Sequence, residues 1–111
     1  MNTIYNTVIP NSITSEYLDY LTNKVFALLP MFEESKQSKE KMASFLVYQN
    51  MIIQTVNGNT DLIQYNSPIV IDILSHLQAL TKITSHADYK RHILKICNQI
   101  GELKKVVNSN V

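Results

Sequence analysis

Two histidines in the stretch DILSHLQALTKITSHADYKRH each follow an aspartate by four residues: Asp72 precedes His76, and Asp88 precedes His92. On a helix this spacing puts both members on one face, where each pair can form a charge-assisted hydrogen bond. His76 lies eight residues before Thr84, and His92 eight residues after it. At about 1.5 Å per residue, both imidazoles stand roughly 12 Å from a turn at Thr84-Ser85, on neighbouring helices. Helical angles turn them in the same rotational sense, so both face the seam between those helices or both face away. Facing inward, Asp72, His76, Asp88 and His92 would offer imidazole and carboxylate ligands to a zinc-like ion. The Glu-x-x-His spacing of di-iron bundles is absent. The simpler reading is two surface pairs, with Asp88 a first-turn carboxylate favoured by the helix dipole.

Other reactive types stand in less suggestive settings. Glu33 and Glu34 are adjacent, so on a helix they point about 100° apart, whereas acid–base chemistry needs two carboxyls facing one substrate. Cys97 falls among Ile93, Ile96 and Ile100, which suits a buried small hydrophobe better than an activated thiolate. It is the only cysteine, so neither an intramolecular disulfide nor a thiolate zinc cage can form. Glycine occurs only at positions 58 and 101, which excludes P-loop and dinucleotide-binding fingerprints.

The elements that must position these residues read as helices. Residues 1–13 look like an extended arm containing Pro10, and residues 14–111 like one helical domain. The first helix is capped by Thr14 or Ser15 and carries Leu18, Leu21, Val25, Leu28 and Leu29 on one face, with Pro30 expected to end or kink it. The second runs from a Ser38 cap to Asn57-Gly58, with Met42, Phe45, Leu46, Ile52, Ile53 and Val56 as its stripe. Gln49 lies within that stripe and must find a hydrogen-bond partner. Ser67-Pro68 announces the third helix, with Ile69, Val70, Ile73, Leu74, Leu77 and Leu80 inward. The fourth opens at Ser85 and carries Tyr89, Ile93, Ile96, Cys97, Ile100, Leu103 and Val107. Gly101 within it suggests close packing or a local bend. The expected fold is all-α, an antiparallel four-helix bundle with an extended N-terminal arm.

Composition sets the remaining bounds. A hydrophobic fraction of 45% marks a globular chain, and a net charge of +1 gives no general case for a polyanion partner. Six Lys or Arg but only two acids fall in residues 82–111, and Arg91, Lys95 and Lys105 share one outward face. That face could touch phosphates or lie opposite Glu16, Asp19, Glu33 and Glu34. The longest apolar run, VFALLPMF, is too short to cross a bilayer, and residues 1–12 lack a secretory pattern, so a cytoplasmic protein is expected.

Apolar residues off the stripes are more informative. Val47 and Met51 lie opposite the second helix's inward face, Tyr48 lies between the faces, and Tyr20, Phe26 and Ile71 also leave their stripes. A helix apolar on two sides must be covered on both, either by the arm (Ile4, Tyr5, Val8, Ile9) or by another protein surface.

The stretch LLPMFEES, preceded by EYLDYLTNKVFA, resembles a segment of small uncharacterised helical proteins of low-GC Gram-positive bacteria or their mobile elements. HADYKRHILKICNQIGEL is similar to their final helix. The resemblance is a packing pattern and implies no activity. The function expected is a small non-enzymatic interaction module that binds a protein partner or itself, using Phe26, Val47, Tyr48 and Met51, with Arg91 and Lys95 as a second surface. An antitoxin-like, immunity-like or phage-related accessory factor fits by analogy. No cofactor is expected. The alternatives are a metal-binding protein or metal-dependent enzyme built on the Asp/His set, and a nucleic-acid accessory protein.

Overall fold

The computed structural model describes residues 13–59, 62 and 67–109. Among them are helices and no strand: α1 (Ser15–Ser35), α2 (Lys39–Asn57), α3 (Pro68–Ala79), a 3-10 turn (Leu80–Lys82) and α4 (His86–Ser109). The fold is all-helical. Except for Ile13, which is buried, the expected arm at residues 1–13 lies outside the described residues.

The helices start where side chains can satisfy their first free amides. The Thr14 hydroxyl accepts from the Tyr17 amide at 3.1 Å, and Ser38 does the same for Lys41 at 3.1 Å. Ser67 accepts from the Ile69 amide at 3.2 Å just ahead of Pro68, and Ser85 from the Asp88 amide at 3.4 Å. Each such cap contributes about 1 kcal/mol by pairing a donor that the first turn leaves open.

Three local expectations are corrected. Of the two effects expected of Pro30, the helix end does not occur: α1 continues to Ser35. The proline faces solvent, so water can serve the Phe26 carbonyl that it leaves unpaired, while Leu28 and Phe32 anchor both flanks in the core. Gly101 does not answer to close packing, because a Cβ built there meets nothing within 4 Å, and α4 runs through it. Leu46 and Met42, both assigned to the inward stripe, are 47% and 38% exposed.

The core joins Leu18, Leu21, Val25, Leu28 and Phe32 of α1 to Phe45, Ile52 and Val56 of α2, Val70, Ile73 and Leu77 of α3, and the long inward face of α4. α1 packs against both α2 and α4, and α3 packs chiefly on α4. Lys104 reaches Asp19 at 2.7 Å, and Ser15 donates to Asn108, so the start of α1 lies beside the end of α4. At the other end, His86 Nε2 stands 2.6 Å from Glu33 Oε1, at ion-pair distance but off the line a hydrogen bond requires.

Candidate functional site

The helix spacing brings the two histidines together. His76 and His92 meet across the α3–α4 seam, ring edge to ring face, with centroids 4.8 Å apart and planes at 82°. His92 Nε2 lies 3.1 Å from the His76 carbonyl oxygen. Burial, and then the neighbouring His76, hold the His92 imidazole below its ordinary protonation range. The aspartates do not join them: Asp72 is exposed, and the Asp88 carboxylate is engaged by Arg91. Among the described residues no group of three or more His, Cys, Asp or Glu converges as a metal site. The seam holds two rings in contact, with one ring nitrogen committed to backbone.

A different surface forms between α1 and α2. Tyr20, Leu21 and Lys24 from α1 face Tyr48, Met51, Ile52 and Thr55 from α2 around a cleft of about 60 Å³. The Lys24 ammonium stands 5.2 Å from the Tyr20 ring centre and 5.6 Å from that of Tyr48, a two-sided cation–π setting. Small-molecule sites enclose several hundred Å³, so this cleft is of side-chain size. Of the four apolar contacts expected from sequence, Tyr48 and Met51 line it. Val47 lies on the same outward side of α2 without lining it, and Phe26, 45% exposed, lies elsewhere on α1. Lys24 was missed, although its place one turn after Tyr20 was readable.

Arg91 and Lys95 line a separate open concavity at the start of α4 with Ile83, Asp88 and His92. Its positive character is reduced, since Arg91 pairs with Asp88, and farther along Lys105 lies 3.5 Å from Glu102. Glu33 is the carboxylate facing His86, while Glu34 turns toward Glu40 and Lys41 of α2. Cys97 is half-buried, and burial pushes its thiol up to about 11, far from a reactive thiolate.

Beneath these surfaces, Gln49 finds the partner its position demanded: its Nε2 donates to the Tyr89 hydroxyl at 3.0 Å, with both side chains buried. The Tyr89 ring stacks on Phe32 with centroids 4.1 Å apart, and Phe45 meets both rings at the edge of the stack. Burial raises the Tyr89 phenol to about 12 against the opposing pull of the Gln49 hydrogen bond. This cluster ties α1, α2 and α4 together.

Comparison with known proteins gives no match to a family model, a curated protein or a solved structure.

Proposed function

We propose that the chain is a small non-enzymatic protein-interaction module: an antiparallel four-helix bundle, led by an arm, that binds a protein partner or a second copy of itself through the outward α1–α2 face. The carrying observation is the exposure of Met51 (59%) and Tyr20 (53%) at a cleft of side-chain size, with Val47 (62%) exposed one turn from Met51 on the same side of α2. Contiguous large apolar groups of this kind mark association surfaces, and aromatic, Met and cationic groups at the centre are typical of their anchors. A free thiol at Cys97 suits a cytoplasmic setting.

The test is site-specific photo-crosslinking in the native cell, with the reactive group at position 51 and a control at exposed Lys90. A discrete adduct at 51, with a second copy or another protein, that disappears on Val47→Asp is the expected result. No adduct at 51 above the Lys90 control, together with a monomer in sedimentation at high micromolar concentration, would overturn the reading.

A further inference from the structure

His76 and His92 place two imidazoles in contact across the α3–α4 seam. With its hydrogen on Nε2, His92 donates to the His76 carbonyl in the last turn of α3. The surrounding charges are unevenly matched. From α3 the nearby acid is Asp72, exposed and one turn before His76. From α4, Asp88 is already held by Arg91, while Arg91 and Lys95 flank His92 in the same concavity. Ile83, from the connection, contributes no charge. One imidazolium is tolerated here, because the carbonyl end of α3 favours a positive group. A second would place two like charges about as close as the rings themselves, beside the Lys95 ammonium. α3 leans chiefly on α4 and only lightly on α2, so the repulsion falls on the seam that retains it.

We propose that the His76–His92 contact is an acid-sensitive latch: when both imidazoles are protonated, α3 and the 3-10 turn part from α4 and uncover the apolar seam between them. The sign follows from the lowered His92 value, whose main cause is burial. Stability from this site is complete above the ordinary histidine value of 6.5 and is lost as pH falls through it toward the lowered one.

Hydrogen exchange of the full chain at about pH 7.5 and about pH 5, corrected for the intrinsic pH dependence of exchange, tests this. Protection of residues 68–82 is expected to fall about fourfold or more, the factor for two unit charges 4.8 Å apart even in water's dielectric, while α1 and α2 keep theirs. His92→Gln, whose amide can still donate to the His76 carbonyl, should abolish the fall; His76→Gln serves if that variant does not fold. Unchanged protection of α3, an equal loss in all four helices, or persistence of the loss in the folded variant would overturn the proposal.

Discussion

Removing the Tyr89 hydroxyl tests how the buried polar pair acts. Tyr89→Phe keeps the ring that stacks on Phe32 but leaves the Gln49 amide, 2% exposed, without the phenol 3.0 Å away. Stranding a buried donor costs about 1–3 kcal/mol, whereas replacing both partners with apolar groups of similar shape can be nearly neutral. Tyr89→Phe should therefore cost about 2 kcal/mol, and Gln49→Leu a similar amount by stranding the phenol. The double variant should recover most of the loss, leaving a coupling of about 1–3 kcal/mol. Urea unfolding followed by far-ultraviolet circular dichroism reads this directly. With slopes of about 2 kcal/mol per molar, each single change lowers the midpoint by about 1 M without altering the slope. Strict additivity, with the double variant as unstable as the sum of the two, would refute the reasoning. It would mean that the two side chains act through packing volume, not through their shared hydrogen bond.

Gly101→Ala should stabilise the protein by about 0.5–1 kcal/mol, because the added methyl meets nothing within 4 Å and helical glycine carries an entropic cost; thermal unfolding checks it, and a destabilised variant contradicts the open geometry. Cys97, with its thiol raised from 9.0 to about 11, should react with iodoacetamide about a hundredfold more slowly at pH 8 than a free cysteine in the urea-unfolded chain. Equal rates would show that the thiol is not shielded as placed.

Helical spacing made the inward faces legible. Leu18, Leu21, Val25 and Leu28, and the α4 series from Tyr89 to Val107 apart from half-buried Cys97, are buried as their three- and four-residue intervals require. The demand that Gln49 be paired was equally readable, but not its partner Tyr89, because that pairing spans 40 residues and depends on how α2 and α4 are set against each other. The matched distances of His76 and His92 from the turn foretold that they share an orientation, while the hand of the hairpin, which decides whether they meet, is a tertiary property. Pro30 and Leu46 misled for related reasons. A local rule about a missing amide or an apolar side chain says nothing about whether that face will meet water, and at both positions it does. Of the basic face expected to answer acids on α1, Arg91 and Lys105 instead pair within α4, and it is Lys104, outside that set, that reaches Asp19.

The bonds between Ser15 and Asn108 and between Asp19 and Lys104 tie together residues 93 and 85 positions apart. Loop-closure entropy makes contacts of that separation slow to form. The α1–α2 and α3–α4 pairs, each joined through a short stretch of chain, are therefore the units that assemble early, and docking α1 on α4 is the step that completes the core. Synthesis on the ribosome must reach the end of α4 before that step can begin, so until then the first helical pair carries an uncovered apolar flank.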